Sequence, residues 1–343
     1  MIKCVKDISP EADKELRALP PGAGYRFLGR SFEVRSNSAR LLRSVDDIYG
    51  AFRSPESLSD PVVTYLLEDS ADRDTPYRTI DPGFDSFLCS DPERTISFWA
   101  AQLMRDHLFR LPFLFVHGAA LKKAGRVFVF AGESGAGKTT FILSMGNEGF
   151  SFFSDEFAPI SLDGGGVYPF PRALLLGQEH LDRLGVSAGL PFFLDHQEKT
   201  PGDAEPPRRF VLGPERVFPA LGPAPGPAAA FCFLDGFSDT ATYASPLEAG
   251  RALEMLLTMT VNTGYLDPAG ASRAVETLTG LLSRVPAYLI RPGRPDEAPA
   301  DRARIIEELA AGSPTGRGDL EKIARRCREI LGRGKNQSTN YTN

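Results

Sequence analysis

The sequence predicts an α/β fold in which a larger core follows a small α+β domain. From residue 113 to residue 311, short apolar runs typical of buried strands alternate with segments whose apolar residues recur at helical spacing. Residues 25–29 and 31–35 instead alternate apolar and polar side chains around a tight turn, as paired strands do, and an amphipathic helix follows them. A chain of 343 residues is long enough for two such domains.

Turn residues and composition divide the chain into three segments. We assign residues 1–90 to the small α+β domain, a candidate surface for substrate docking, and residues 91–312 to the α/β core. Residues 313–343 are predicted to form a charged helix and a polar, disordered tail. Within the core, the proline-rich stretch 201–228 is predicted to be an irregular surface loop, because proline cannot donate a backbone hydrogen bond.

Composition limits the partners and the compartment. A formal net charge of -5 and a pI near 5.6 argue against a nucleic acid or an anionic membrane as the main partner. No apolar run approaches the roughly 20 residues needed to span a bilayer. The four cysteines are widely separated, and the first residues lack the apolar segment of a signal peptide. We therefore expect a cytoplasmic protein with no nucleic-acid and no membrane partner.

The most specific motif is G-x-x-x-x-G-K-[ST] at residues 132–139, between a predicted strand at 127–131 and a predicted helix at 139–145. Its glycines let backbone N–H groups turn toward phosphate oxygens, Lys138 can reach the β- and γ-phosphates, and the Thr139 hydroxyl can bind Mg²⁺. The phosphates would lie at a helix N-terminus, where free amides favour negative charge. The sequence therefore predicts a site for ATP and Mg²⁺. Its nucleotide-binding residues are Gly132, Glu133, Ser134, Gly135, Ala136, Gly137, Lys138, Thr139 and Thr140.

An acidic pair follows this loop, with Asp155 lying 17 positions after Lys138 and Glu156 next to it. One helix and one strand fit that gap, so we expect the pair at the C-terminal end of a neighbouring parallel strand, the end that carries the loop. An acidic residue there can hold Mg²⁺ or accept the proton of an attacking hydroxyl. Thr139, Asp155 and Glu156 are therefore the predicted metal ligands. Acidic residues after strands are also commonly helix caps or turn residues, and the nearby loop is what favours the functional interpretation.

Two further residues are candidates for catalysis beside Asp155 and Lys138. His117 ends a short apolar run just before a hairpin that returns into the strand of the loop, so its imidazole could neutralise phosphate charge or move a proton. A hydrogen-bonded structural histidine is the alternative. Arg172 follows the acidic strand by one hairpin and could return to the same edge. Three more cations could close over a γ-phosphate: Lys199, Arg208 and Arg209. Most charges of this kind are merely solvated.

Three segments together resemble the HPr kinase/phosphorylase family, and most closely its short relatives from bacterial peptide-modification clusters. They are His-Gly-Ala-Ala-Leu at 117–121, the loop at 131–140 and Phe-Ser-Asp-Glu at 153–156, and the resemblance extends over about residues 96–311. It implies a PEP-carboxykinase-like nucleotide core and a serine kinase that uses ATP and Mg²⁺. True HPr kinases form hexamers, so a homo-oligomer is compatible with this resemblance.

The resemblance also implies roles for individual residues. Asp155 corresponds to the family's base or Mg²⁺-linked acid, Glu156 stands in place of the second aspartate, and His117 matches the active-site histidine. The pair is Asp-Glu here and Asp-Asp in the family, so the geometry of metal coordination is expected to differ. The Leu-Glu-x-Arg-Gly-Leu-Gly signature that accompanies phosphorolysis is absent, and residues 172–177 stand roughly where it would be. Phosphorylase activity is therefore not expected.

The resulting hypothesis is an ATP-dependent kinase that transfers the γ-phosphoryl group to a hydroxyl, expected to be a serine, of a peptide or protein. One alternative is a small-molecule hydroxyl kinase, since sugar and nucleotide kinases also place an acidic residue one helix after the loop. Another is a catalytically silent nucleotide-binding switch. The N-terminal domain favours a peptide or protein substrate, which needs a docking surface.

Overall fold

The structure, a computed structural model, describes residues 2–5, 16, 18–55, 58–69, 73–82, 84, 86–133, 135–186, 191–192, 209–294 and 297–333. These residues form mixed sheets and helices, which confirms the predicted α/β class. The helices are α1 Ala39–Tyr49, α2 Pro92–Gln102, α3 Lys138–Leu143, α4 Gln178–Leu184, α5 Ala249–Thr258, α6 Pro268–Leu282, α7 Pro299–Leu309 and α8 Arg317–Arg333. The strands are β1 Ile2–Val5, β2 Ala23–Phe27, β3 Arg30–Ser36, β4 Val62–Glu68, β5 Tyr77–Ile80, β6 Ser86–Cys89, β7 Phe113–Lys123, β8 Arg126–Ala131, β9 Ser151–Ser154, β10 Phe157–Ser161, β11 Leu174–Leu176, β12 Pro191–Phe192, β13 Arg209–Leu212, β14 Ala228–Leu234, β15 Tyr243–Leu247 and β16 Ala287–Arg291.

The described chain forms two compact units. The first comprises the described residues of Met1–Leu108 and Arg172–Gly213, and the second those of Phe109–Pro171 and Pro214–Thr339. Each unit therefore combines segments that are distant in the sequence.

These units differ from the sequence-based division into 1–90, 91–312 and 313–343. Helix α2 packs on β5 and β6, so it belongs to the first unit and not to the core. The segment from β11 to β13 also belongs to the first unit, because β13 pairs with β11 and packs on α1. Helix α8 packs on α5 and α6, so its apolar residues are part of the second unit and not of a separate tail.

The first unit contains a three-stranded sheet with the order β11-β13-β12 and a six-stranded sheet with the order β1-β6-β5-β4-β3-β2. Strands β3 and β4 are parallel and are connected by α1, while the other neighbours are antiparallel. Asp91 caps the N-terminus of α2, because its carboxylate accepts a hydrogen bond from the Arg94 backbone N–H at 2.8 Å. Trp99 of α2 is buried on the sheet and donates to the Thr64 hydroxyl at 2.9 Å.

The second unit is built on a sheet with the order β10-β7-β8-β14-β16-β15, and β9 also pairs with β7. Strands β8, β14 and β16 are parallel, and β7 runs antiparallel to β8. Successive side chains of a strand face opposite sides of the sheet. Val129 of β8 belongs to the apolar cluster that includes α5, α6 and α8, whereas the Phe130 ring lies 5.4 Å from that of Phe141 in α3. Both faces of the central strands are therefore covered, which explains their continuous apolar sequences.

Several predicted elements differ in extent. The strand predicted to end at His117 continues as β7 to Lys123, because residues beyond His117 pair with β8 and β9. Helix α5 begins at Ala249, and the preceding segment Tyr243–Leu247 is the edge strand β15, where a proline is tolerated. In the proline-rich stretch, Arg209–Leu212 is a strand and 201–208 lies outside the described residues.

The predicted disordered tail falls largely outside the described residues. Helix α8 continues to Arg333, and residues 334–343 lie outside the described part of the chain. Over the residues described, no helix combines the length and the apolar character required to cross a bilayer.

Candidate phosphate-binding and catalytic site

The loop between β8 and α3 curves around the side chain of Lys138. The Lys138 Nζ donates to the carbonyl oxygens of Gly132, at 2.6 Å, and Glu133, at 2.9 Å. Gly135 and Gly137 have φ angles of 82° and 85°, in the left-handed region that favours glycine. The strand, loop and helix therefore follow one another as the motif predicts.

Lys138 is buried, with 8% of its surface exposed. Burial lowers the pKa of its ammonium from the ordinary value, and the negative charge of Asp155 opposes this shift. A buried ammonium that has lost much of its hydration is stabilised by a nearby negative charge. The ammonium of Lys138 is therefore buried within the loop, and the charge of Asp155 helps to stabilise it.

The acidic pair lies in a bend between two strands. Both β9 and β10 pair with the same edge of β7, and Asp155 and Glu156 occupy the bend that joins them. Strand β9 has the same direction as β8 but is separated from it by β7, so the expectation of a directly neighbouring parallel strand is wrong. The parallel neighbour of β8 is β14. The acidic pair nevertheless follows the C-terminal end of β9, as expected.

A direct contact joins the acidic pair to the loop. The Thr139 hydroxyl lies 3.1 Å from Oδ1 and 3.3 Å from Oδ2 of Asp155. Both side chains are half-buried. Two of the three residues that the sequence assigned to Mg²⁺ are thus in contact beside the first turn of α3.

His117 lies beside the same bend. It pairs with Phe157 in the β7–β10 ladder, and its backbone N–H donates to the Met259 carbonyl at 2.7 Å. The next residue, Gly118, donates to the Glu156 carbonyl at 3.0 Å and pairs with Ala131, directly before the phosphate loop. Gly118, next to His117, therefore contacts both the bend that carries Asp155 and Glu156 and the strand β8 that leads into the phosphate loop.

Gly118 is required for this convergence. A Cβ atom built on it would lie 2.6 Å from the Phe130 carbonyl oxygen, so the two strands would have to separate. We expect Gly118→Ala to lower the free energy of unfolding by about 1–3 kcal/mol through overpacking, measured by urea denaturation. Gly264→Ala is the matched control, because no atom lies within 4 Å of a Cβ at that position. Equal stability of the two variants would contradict the close approach at Gly118.

The donor set suits Mg²⁺. Hydroxyl and carboxylate oxygens are hard ligands of the kind that this ion prefers, and Thr139, Asp155 and Glu156 supply them. In the part of the chain that the structure describes, no group of three or more His, Cys, Asp or Glu side chains could hold a metal. Mg²⁺ is commonly bound through one or two carboxylates together with phosphate oxygens.

Two of the other predicted cations belong to the first unit. Arg172 is in the first unit, where it hydrogen-bonds the buried Tyr49 hydroxyl; burial raises the pKa of Tyr49, and Arg172 opposes that shift. Arg209 begins β13, also in the first unit. Lys199 and Arg208 lie outside the described residues. A catalytic role for Arg172 stays a prediction.

Sequence reasoning missed two charged residues at the loop's edge of the sheet. Asp235 directly follows β14, Arg291 ends β16, and Arg291 Nη2 lies 3.0 Å from Asp235 Oδ2. Since β8, β14 and β16 are parallel, both residues emerge at the same edge as the loop. The signal was an apolar run followed by Asp-Gly, which indicates a strand end but does not reveal which strand is adjacent.

The chain was also compared with known proteins. No family model matches it, and no curated protein is significantly similar to it.

Proposed function

We propose that the second unit is a P-loop nucleotide-binding core, in which the loop at residues 132–140 binds the phosphates of ATP. The lysine that bridges two loop carbonyls, the left-handed glycines and the reduced pKa of Lys138 all support this class of protein. The three-segment resemblance to the HPr kinase/phosphorylase family supports a PEP-carboxykinase-like arrangement of this core.

More particularly, we propose that the protein is a kinase that phosphorylates a hydroxyl, expected to be a serine, of a peptide or protein. The observation that carries this proposal is the contact of Thr139 with Asp155. A carboxylate next to the residue that opens the phosphate-binding helix can serve the metal, or it can accept a proton within reach of the γ-phosphate.

In this mechanism the acceptor oxygen forms a bond to the γ-phosphorus while the bond to the β–γ bridging oxygen breaks, so that ADP leaves. One carboxylate of the pair Asp155 and Glu156 receives the hydroxyl proton, and the other would be linked to the metal. Lys138 stabilises negative charge on the phosphates, and His117 adds a polar group at the same edge. Mg²⁺ would neutralise charge on the β- and γ-phosphate oxygens.

The test is phosphoryl transfer from γ-labelled ATP with Mg²⁺. We expect label in a serine-containing peptide or protein and a matching release of ADP. Transfer only to members of a panel of hydroxyl-bearing metabolites would instead identify a small-molecule kinase. Stoichiometric ATP binding without transfer or hydrolysis on any acceptor would overturn the kinase proposal and identify a nucleotide-dependent switch.

A further inference from the structure

An aromatic residue on a second loop contacts the phosphate loop. Phe237 lies in the segment between β14 and β15, which starts at the same sheet edge as the phosphate loop because β8 and β14 are parallel. The two loops approach closely at their origins, since a Cβ on Gly132 would lie 3.1 Å from the Leu234 carbonyl oxygen. Phe237 is therefore placed beside the loop by adjacent strands and not by proximity in sequence.

The backbone on both sides of Phe237 is anchored to β16 and the residue that follows it. The Asp235 N–H donates to the Ile290 carbonyl at 2.9 Å, and the Ser238 N–H donates to the Pro292 carbonyl at 2.7 Å. These bonds hold the loop on either side of the aromatic residue. Its position beside the phosphate loop is thus set by main-chain hydrogen bonds.

The ring meets Gly137, the residue directly before Lys138. A Cβ on Gly137 would lie 2.4 Å from Cζ of Phe237 and 3.1 and 3.3 Å from its two Cε atoms. These three atoms form the outer edge of the ring, so Phe237 stands with this edge against the loop. The φ of 85° at position 137 lies in the left-handed region that favours glycine.

The rest of the ring is open to solvent. Phe237 is 56% exposed, one of a few large apolar side chains with this much exposure in the described residues. A single exposed apolar residue is normal on a protein surface. This one is distinguished by its contact with the phosphate loop. Because the edge of the ring contacts the loop, the faces of the ring remain available for stacking on a planar group.

We propose that Phe237 stacks on the base of the nucleoside triphosphate whose phosphates occupy the loop. This inference rests on the proposed nucleotide site. Aromatic faces stack on nucleobases with little dependence on the identity of the base. Phe237 therefore contributes to the affinity for nucleotides over base-free phosphates, while the loop and Lys138 bind the phosphates themselves.

The test compares Mg²⁺-ATP with Mg²⁺-tripolyphosphate, which carries the phosphates but no base, by titration calorimetry. We expect Phe237→Ala to weaken ATP binding about tenfold, within the range for loss of one base–aromatic stack, and to leave tripolyphosphate binding unchanged. Phe237→Tyr should retain the wild-type affinity for both. Ile330→Ala, on α8, is the control for loss of an equally exposed apolar side chain.

Any other result of this binding comparison overturns the inference. Unchanged ATP binding by Phe237→Ala shows that no stack exists, and an equal loss for both probes shows that the ring only orders the loop. Tighter binding of both probes shows that the ring obstructs the site. Wild-type protein that binds neither probe overturns the nucleotide site itself, whereas binding without phosphoryl transfer overturns the kinase proposal alone.

Discussion

Asp155→Asn should abolish most phosphoryl transfer while leaving ATP bound. We expect the rate to fall by about 10²–10⁴-fold, the usual contribution of a positioned acid or base. The asparagine keeps the size of the side chain and can still accept a hydrogen bond from Thr139, but it loses the negative charge and the capacity to take a proton. The rate is measured with γ-labelled ATP, and binding is measured by calorimetry on the same preparation.

A matched control is available in Asp163→Asn. Asp163 is an exposed acidic residue of the same unit, in the turn after β10, and it does not belong to the site. Its substitution should leave transfer at the wild-type rate. If Asp155→Asn transfers phosphate as fast as this control, Asp155 has neither the role of base nor that of metal-linked acid. Glu156→Gln, assayed in parallel, shows which member of the pair is the more important.

Lys138→Ala should remove both nucleotide binding and transfer. Lys138 supplies the positive charge of the loop, and its Nζ bridges the Gly132 and Glu133 carbonyls. We expect a loss of about 10²–10³-fold in transfer, in line with the removal of one preorganised electrostatic group from an active site. Titration with ATP and with tripolyphosphate should both show weaker binding, because the lysine acts on the phosphates and not on the base.

The control for this variant is Lys322→Ala, which removes an exposed lysine of α8 in the same unit. It should bind ATP as the wild type does. An unfolding curve of Lys138→Ala that resembles that of the control would show that the loss concerns the site and not the fold. Unimpaired ATP binding by Lys138→Ala would contradict the phosphate-binding role of the loop.

Part of the site was predictable because its determinants are local. The glycines, Lys138 and Thr139 lie within eight consecutive residues, and the strand and helix around them follow from short-range patterns. The cap of α2 by Asp91 was also predictable, since capping depends on neighbours within three residues. In these cases sequence separation and spatial separation are both small.

Other features depended on strand pairing between distant segments. The sequence indicated a strand before Asp155, but not that β7 separates it from β8 or that β10 continues along the same partner. Pairing order is decided by which apolar faces pack together across the whole sheet, and short-range patterns do not record it. For the same reason α2 was assigned to the wrong unit: its apolar face fits either neighbour until the sheet beneath it is known.

The sequence by itself determined the chemistry available to this protein: a loop whose glycines, lysine and threonine suit a phosphate and a metal, with an acidic pair 17 positions further on. Only the tertiary structure decided which groups meet there. It brings Asp155 onto Thr139, joins Gly118 to Glu156, and sets Phe237 against Gly137 from 100 positions away. The physical reason is that adjacency within a sheet is a non-local property, formed by backbone hydrogen bonds between strands whose separation in sequence is unrestricted.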